Sequence, residues 1–264
     1  MIGGVMNKQY KSPTSRGIEW TDYTWNPISG CFHACQWAMP DGSIANCYAE
    51  DVATRVAGSA YPHGFEHHYW KPEALEEPAK LRKSSRIFVG SMADVFGHWV
   101  PEEQINAVLS VCRHNPQHTF QFLTKNPRRV LQFDWRIPKN CWIGASTPPD
   151  FMWGKALSDV QRQRMLKTTL DTLHSVRQTG IVTWLSAEPI TIDVGAALMT
   201  YPGKPIDWMV IGAASNGAQK YAPSDELVRG AVRAADMLDV TLFFKGNLRT
   251  SPYASENWRE EFPG

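Results

Sequence analysis

The sequence predicts an α/β protein built on a sheet of parallel strands, either open or curled into a barrel. Short apolar runs alternate about six times with segments of helical spacing. The apolar runs are continuous, which is typical of strands that are covered on both faces. A length of 264 residues suits one α/β barrel or two small domains, and a hydrophobic fraction of 43% is enough for a sizeable core.

The first strand is placed between residues 18 and 28, which are rich in Trp, Tyr and Thr and lead into a cysteine-rich loop. Six further strands are predicted at Arg86–Gly90, Thr119–Leu123, Asn140–Ala145, Ile181–Ala187, Ile206–Ala213 and Val240–Lys245. Helices are predicted at Tyr48–Ala57, Pro101–Asn115, Asn126–Phe133, Ser158–Gln178, Val194–Thr200 and Ser224–Leu238. Asn126 and Ser224 are candidate N-caps.

The chain is divided into a loose N-terminal arm (residues 1–17), one domain (18–250) that contains the cysteine loop (29–48), and an irregular C-terminal tail (251–264). Its formal charge of +1 gives no global attraction to nucleic acid or membranes, so any nucleic-acid contact needs a local patch. There is no apolar run long enough to span a bilayer and no secretory signal, which favours a cytoplasmic protein.

Polar residues follow each predicted strand, at the end where parallel α/β proteins place their chemistry. These residues are Ser91 and Asp94, Thr124 and Lys125, Ser146 and Thr147, Glu188, Ser215 and Asn216, and Lys245. Taken singly, each has a structural explanation, such as a helix cap, a solvated face or a snorkelling lysine. Their repetition at one topological position predicts a shared cavity, into which the cysteine loop also opens.

Three of the five cysteines, Cys31, Cys35 and Cys47, lie close together in this loop. In a reducing compartment they indicate metal or redox chemistry more than disulfides. Three interpretations are open: a zinc site completed by His33, incidental buried thiols, or an iron–sulfur cluster with three protein ligands. Incidental burial suits Cys112 and Cys141 better, because they fall within a predicted helix and a predicted strand.

The cysteine pattern resembles that of radical S-adenosylmethionine (SAM) enzymes. It differs in having eleven residues between the second and third cysteines, and in having Asn46 where an aromatic residue usually precedes the third, although Tyr48 follows directly. A closer resemblance, to the phage-associated, three-cysteine-motif radical-SAM-like family, rests on the ordered motifs IEWTDYTWNPISGC, CYAE, FVGSMADVF, FLTKNPRR, WIGAST, LSAEPI, IDWMVIGA and FFK.

This resemblance implies a partial (β/α)6 TIM-type barrel that holds a [4Fe–4S] cluster and SAM. The cluster ligands implied are Cys31, Cys35 and Cys47. The SAM contacts implied are Tyr48, Gly90, Ser91, Asp94, Ser146 and Glu188. Lys125, Glu188 and Lys245 are assigned to catalysis, and Lys125, Arg128 and Lys245 are the groups left to hold an anionic part of the substrate.

The phage association suggests an enzyme of thymidine hypermodification that uses an electron donor such as flavodoxin. The best match is an isomerase that rearranges a glycyl group on thymine in DNA, with loop residues Trp37, Trp70, Trp99 and Trp153 either stacking on bases or packing the loops. Three alternatives are a radical SAM lesion-repair lyase, a non-catalytic metal-binding nucleic-acid module, and a barrel hydrolase or aldolase centred on Lys125 or Lys245.

Overall fold

The computed structural model describes residues 6–9, 17–39, 42–55, 58–214 and 223–264. The strands are β1 (Met6–Lys8), β2 (Tyr23–Trp25), β3 (Ile28–Ser29), β4 (Gln36–Ala38), β5 (Ile44–Asn46), β6 (Tyr69–Trp70), β7 (Arg86–Val89), β8 (Thr119–Thr124), β9 (Cys141–Ser146), β10 (Phe151–Met152), β11 (Lys155–Ala156), β12 (Thr183–Ala187), β13 (Trp208–Ile211) and β14 (Thr241–Phe244). The predicted first strand is divided into β2 and β3, and the six later strands are confirmed to within two residues at each end.

The main sheet has the order β1-β2-β7-β8-β9-β12-β13-β14. All neighbouring strands from β2 to β14 run parallel, and β1 pairs antiparallel with β2. This confirms the predicted α/β class with a parallel sheet, while closure into a partial barrel stays a prediction. Two smaller antiparallel sheets, β11-β10-β4-β5 and β3-β6, lie in the loops.

The helices are α1 (Tyr48–Arg55), α2 (Glu102–His114), α3 (Pro127–Val130), α4 (Asp159–Gln178), α5 (Val194–Met199), α6 (Asp225–Leu238) and α7 (Pro252–Glu256). The side chain of Ser224 caps α6 as predicted, whereas Asn126 does not cap α3 and instead donates to the carbonyl of Phe96. Short 3-10 helices occupy Gly58–Ala60, Pro72–Glu76, Pro78–Lys80, Asp134–Arg136 and Gly246–Thr250. Across the described ranges, every helix is too short or too polar to pass through a bilayer.

Both ends of the chain contain structure that the sequence did not indicate. In the predicted loose arm, β1 pairs with β2. In the predicted irregular tail, α7 forms, and residues 259–261 exchange backbone hydrogen bonds with β14. Residues 1–5 and 10–16 of the arm, and the predicted site residues Ser215 and Asn216, lie outside the described residues.

The two faces of the parallel sheet bury different side chains, because successive residues of a strand point to opposite sides. One face packs with the helices in a large aliphatic core, which includes Ile87, Leu185 and Met209. The other face carries a cluster that we term the aromatic layer. Its members are Trp20, Phe88, Trp184, Trp208, Val210 and Phe243. This layer fills the side of the sheet on which the cavity described below opens.

Gly144 makes room for the aromatic layer. A Cβ atom at this position would lie 2.2 Å from Cε2 of the fully buried Trp184, its neighbour in register on β12. We therefore expect Gly144→Ala to lower the free energy of unfolding by about 1–3 kcal/mol through overpacking, as measured by urea denaturation.

Gly230→Ala in α6 is the matched control. An added Cβ there meets nothing closer than Asp193 Oδ1 at 3.7 Å. Because alanine loses less backbone entropy in a helix, this variant should gain about 0.5–1 kcal/mol. Equal effects of the two substitutions would contradict the steric explanation.

Candidate active site

Cys31, Cys35 and Cys47 face a common cavity at the carboxyl ends of β7, β8 and β9. The cavity has a volume of about 500 Å³, counting space that opens to solvent. Its lining brings together most of the residues predicted from the sequence: the three cysteines with Tyr48, Gly90, Ser91, Asp94, Lys125 and Ser146. The three cysteines thus share one cavity, and the pKa of Cys31 is raised chiefly by burial, with smaller contributions from Asp94, Cys35 and Cys47.

The eleven residues between Cys35 and Cys47 form a β-hairpin, which explains the unusual spacing. Gln36 on β4 lies opposite Asn46 on β5, and their side chains are joined by a hydrogen bond of 2.8 Å. Opposed residues of an antiparallel pair have Cα atoms about 4.5–5.5 Å apart. The hairpin therefore brings Cys35 and Cys47 to adjacent positions at its base, as a much shorter connection would.

The first cysteine is positioned by close packing of the backbone at Gly30. This residue has a φ of +90°, and a Cβ atom would lie 1.8 Å from the carbonyl oxygen of His67. Its N–H donates to the carbonyl of Met92, and the N–H of Cys31 donates to that of Phe65. Only glycine fits this geometry, so Gly30 fixes where Cys31 enters the cavity.

Asp94 connects the cysteine loop to the ends of the strands. Its side chain is buried, and Oδ2 accepts hydrogen bonds from His33 Nε2 at 2.8 Å, Thr124 Oγ1 at 2.9 Å and the backbone N–H of Lys125 at 2.8 Å. Oδ1 accepts from the N–H of Phe96 at 3.0 Å. Burial alone would raise the pKa of Asp94, but these donors, with His33 foremost, hold the pKa below its ordinary value. The Asp94 carboxylate thus accepts four hydrogen bonds from other groups of the protein.

The environment of the cysteines favours neutral thiols in the protein alone. Burial raises the pKa of Cys31, and the charge of Asp94 adds to the rise. Burial also raises the pKa of Cys35 to about 12, although the ammonium of Lys125 opposes this. Since metals bind thiolates, ligation here would release protons and place negative charge beside Lys125.

Lys125 is the cation that faces the three cysteines. Its ammonium lies 5.8 Å from the ring centroid of Trp37, on the hairpin between the second and third cysteines. Burial lowers its pKa, but the nearby Cys35, Cys47, Cys31 and Asp94 outweigh this effect and raise the pKa overall. A charged Lys125 can therefore balance an anionic group in the cavity.

Tyr48, Gly90 and Ser91 form one wall of the cavity. The Tyr48 hydroxyl donates to the carbonyl of Ser91, and its pKa is raised by burial of the hydroxyl and by Cys47. The Ser91 side chain is already paired with Asn26, at 3.1–3.2 Å. Gly90 has a φ of +74°, and a Cβ atom would meet Val95 Cγ2 at 2.9 Å. The Tyr48 side chain and the closely packed backbone of Gly90 and Ser91 therefore form this wall.

Glu188 and Lys245 form an ion pair of 3.0 Å between the ends of β12 and β14. Gly212 makes room for both, because a Cβ atom would lie 3.1 Å from Glu188 Cγ and 3.2 Å from Lys245 Cδ. Burial lowers the pKa of Lys245, but the pairing with Glu188 outweighs it and raises the pKa. Among the described residues, the buried Glu188 Oε1 has no hydrogen-bond partner. Neither residue of this pair is among those that line the cavity, although the charge of Glu188 adds, after burial and Cys47, to the raised pKa of Tyr48.

The zinc interpretation gains no support from the geometry. Within the described ranges, no three or more His, Cys, Asp or Glu side chains are close enough together to hold a single metal ion. His33, its proposed fourth ligand, uses Nε2 to contact Asp94. Cys112 and Cys141 are fully buried in the aliphatic core, as the sequence indicated.

The four tryptophans predicted to lie in loops have different environments. Trp37 is 8% exposed on β4, while Trp70 on β6 and Trp99 are partly buried. Trp99 stacks on Phe32, with ring centroids 4.7 Å apart, and contacts the ring of His33. Trp153 is 52% exposed. Packing therefore accounts for Trp37, Trp70 and Trp99, and leaves Trp153 free to contact a ligand.

The structure also shows site residues that the sequence did not single out. Asn26 accepts from the N–H of Met92 and pairs with Ser91. Asn247 contacts both backbone groups of Ala213 beside the Glu188–Lys245 pair. Neither residue stands directly after a long apolar run, and the candidate residues were chosen from the sequence as polar residues that follow such runs.

We expect Asp94→Asn to lower the free energy of unfolding at pH 7 by about 1–3 kcal/mol, because an amide cannot accept from all four donors. The folded pKa of Asp94 lies below the unfolded value of about 3.9, so its contribution is present above that value and is lost as pH falls towards the folded pKa. The deficit of the variant should therefore shrink below about pH 4, as measured by urea unfolding at several pH values.

Asp159→Asn serves as the control, because the Asp159 side chain is 97% exposed. Its carboxylate lies 3.8 Å from Arg162 and in the first turn of α4, so this variant should lose at most about 1 kcal/mol, less than Asp94→Asn does at pH 7. A deficit for Asp94→Asn that stays constant into acid would show that the charge of Asp94 does not stabilise the fold.

The fold is similar to that of spore photoproduct lyase. The lyase complexed with dinucleoside spore photoproduct superposes with a TM-score of 0.56 at 11% identity, covering 90% of this chain and 79% of the lyase. One of its single mutants gives a TM-score of 0.56 at 12% identity, and the alignment covers 90% of this chain and 80% of the mutant lyase. A double mutant of the lyase with bound AdoMet and dinucleoside spore photoproduct gives a TM-score of 0.46 at 10% identity. That alignment covers 83% of this chain and 62% of the mutant lyase.

A search of curated protein sequences finds no match. A family model described as "Protein of unknown function (DUF5131)" matches residues 15–256, which is most of the chain. The chain therefore belongs to the DUF5131 family.

Proposed function

We propose that this protein is a radical SAM enzyme that binds a [4Fe–4S] cluster through Cys31, Cys35 and Cys47. The observation that carries the proposal is the convergence of these three thiols on one cavity at the carboxyl ends of parallel strands. The similarity in fold to spore photoproduct lyase supports it.

The residues around the cavity fit such a cluster. Cysteine thiolates are the usual protein ligands of iron–sulfur clusters, and three of them leave one iron open for a cofactor. Lys125 offsets the negative charge that ligation creates. When bound, the cluster supplies the electron that cleaves SAM, giving a 5′-deoxyadenosyl radical that takes a hydrogen atom from the substrate.

The chain's own groups have defined roles in this proposal. In the wall formed by Tyr48, Gly90 and Ser91, the carbonyl of Ser91 accepts from Tyr48 and that of Gly90 accepts from Ala93, so each keeps one further lone pair for the ammonium of SAM. Ser146 and the unpartnered Glu188 Oε1 are suited to accept from ribose hydroxyls. Lys245 holds Glu188 in place, and Lys125 holds an anionic part of SAM or of the substrate.

For Asp94 we propose a positioning role in place of the direct SAM contact that the resemblance implies. Its four hydrogen bonds are to protein groups, so we assign it to positioning His33 and Lys125. Arg128, expected to help hold the substrate, is not among the residues that line the cavity.

For the substrate, we propose a modified thymine in DNA, and for the reaction an isomerisation that moves a glycyl group from a nitrogen link to a carbon link. Hydrogen abstraction beside the glycyl carboxylate gives a stabilised radical, and Lys125, which lines the cavity, can pair with that carboxylate. The base has to leave a duplex to reach the cavity, which costs a few kcal/mol. In the same proposal the protein is encoded by a phage, acts in the host cytoplasm and receives electrons from a donor such as flavodoxin.

A lesion-repair lyase is the second candidate. It is favoured by the similarity of the fold to spore photoproduct lyase, a protein whose structure is complexed with dinucleoside spore photoproduct. Both reactions need the same cluster and SAM, and they differ in whether the substrate is rearranged or split. A non-catalytic module would keep the metal but release no 5′-deoxyadenosine.

Anaerobic reconstitution should load about four irons per chain, and reduction with SAM should then produce 5′-deoxyadenosine. Cys31→Ala, Cys35→Ala and Cys47→Ala should each lose most of the iron and all of the 5′-deoxyadenosine, because a cluster held by two thiolates is unstable. Iron analysis, visible absorbance and chromatography measure these outcomes.

Cys112→Ala is the matched control, since this thiol is buried in the aliphatic core away from the cavity. It should retain iron. Zinc without iron in the isolated protein, or full iron in Cys47→Ala, would refute the cluster assignment.

The substrate proposal is tested with DNA that carries glycyl-thymine and with DNA that carries a thymine photodimer. An isomerase changes the chromatographic retention of the modified nucleoside without changing its mass. A lyase instead converts the dimer to two thymidines. If neither nucleoside changes while 5′-deoxyadenosine forms, the substrate assignment is wrong and the cofactor assignment stands.

A further inference from the structure

The hairpin β10–β11 ends in a two-residue turn formed by Trp153 and Gly154. Met152 and Lys155 pair on either side of the turn. Trp153 has a φ of +54° and Gly154 a φ of +70°, and positive values at both central positions are characteristic of a type I′ turn. Such turns strongly prefer asparagine, aspartate or glycine, because a large side chain is strained in the left-handed region.

Trp153 thus occupies a backbone position that suits it poorly, and burial compensates only in part, since 52% of the residue is exposed. Residues held in sparsely populated backbone regions cluster at active sites and at sites that clamp ligands. The strained backbone and the exposed side chain together indicate that Trp153 contacts a ligand rather than packing within the protein.

Trp153 is attached to the cysteine loop. Its N–H donates to the carbonyl of His33 at 2.8 Å, and the centroids of the two rings are 6.1 Å apart. His33 lines the cavity between Cys31 and Cys35. The indole therefore stands at the rim of the proposed active site.

The hairpin that carries Trp153 is held rigidly. Phe151 pairs with Gln36, which joins it to the hairpin between the second and third cysteines. Asp150, at its base, accepts from the N–H of Ala38 at 3.0 Å and forms an ion pair of 2.8 Å with the buried Arg162 of α4. An indole fixed in this way loses little freedom when a ligand stacks on it.

We propose that the exposed face of Trp153 stacks on a nucleobase of the substrate and holds it at the mouth of the cavity. This inference rests on the proposed function, from which it takes the nucleic-acid substrate, and it adds the residue that recognises an unpaired base. Aromatic stacking suits a base that has left a duplex, because every base has a flat face and stacking requires no particular sequence.

The test measures binding of a fluorescently labelled, single-stranded oligothymidylate to the reconstituted protein by anisotropy. Trp153→Ala should weaken binding roughly 5- to 150-fold, the range found when one stacking aromatic is removed. Trp153→Phe should restore part of the affinity. Trp135→Ala is the matched control, because Trp135 is also exposed, at 78%, but its ring is covered by Arg136. This variant should bind the oligothymidylate as tightly as the unmodified protein does.

Thermal unfolding separates recognition from packing. Asparagine suits a type I′ turn, so Trp153→Asn should keep or raise the melting temperature, by roughly 2–4 °C at most, while it weakens oligothymidylate binding. A lower melting temperature would identify Trp153 as a packing residue and overturn the proposal. Equal affinities of Trp153→Ala and Trp135→Ala would also overturn it.

The same measurements distinguish this inference from the proposed function. If the unmodified protein makes 5′-deoxyadenosine but does not bind the oligothymidylate, the stacking role is wrong and the radical chemistry stands. If it binds in a Trp153-dependent manner but holds no iron, the stacking role stands and the radical chemistry is wrong.

Discussion

The pairing of Gln36 with Asn46 is the contact on which the candidate site depends. It places Cys35 and Cys47 side by side although eleven residues separate them. Because the entropic cost of closing a loop rises by only about 0.6 kcal/mol for each doubling of its length, a hairpin can replace a short turn at small cost. The hairpin in return supplies β4, on which the second hairpin, with Trp153 at its tip, is built.

A second constraint is the balance of charge around the cavity. Three thiols and a buried carboxylate surround one ammonium, that of Lys125, and Asp94 is hydrogen-bonded to the residue that carries it. The carboxylate of Asp94 is hydrogen-bonded by four donors, which leaves the Lys125 ammonium to offset the charge that forms on the thiols when they ligate a metal. At the ends of β12 and β14, Glu188 and Lys245 are paired with each other, and one oxygen of the Glu188 carboxylate has no hydrogen-bond partner among the described residues. The two lysines therefore have different surroundings, although both follow strands.

The strands and helices of the main sheet were predictable because their signals are local. Continuous apolar runs such as Trp208–Ile211 identify buried strands, and Ser224 marks the start of α6. The hairpins β4–β5 and β10–β11 were not predicted, because strands of two or three residues carry too short a pattern. The candidate residues were found by their position after strands, which topology brings together. Their partners were not, since the donors around Asp94 come from segments up to 61 residues away in the chain.

The edges of the main sheet have a consequence for how the protein behaves in solution. On one side β1 is only three residues long, and on the other residues 259–261 occupy the backbone groups of β14. Long unpaired edge strands are the usual templates on which one chain adds to another. Among the residues that the structure describes, neither margin offers a long template of this kind, so we infer that neighbouring copies gain little by pairing strand to strand at these edges.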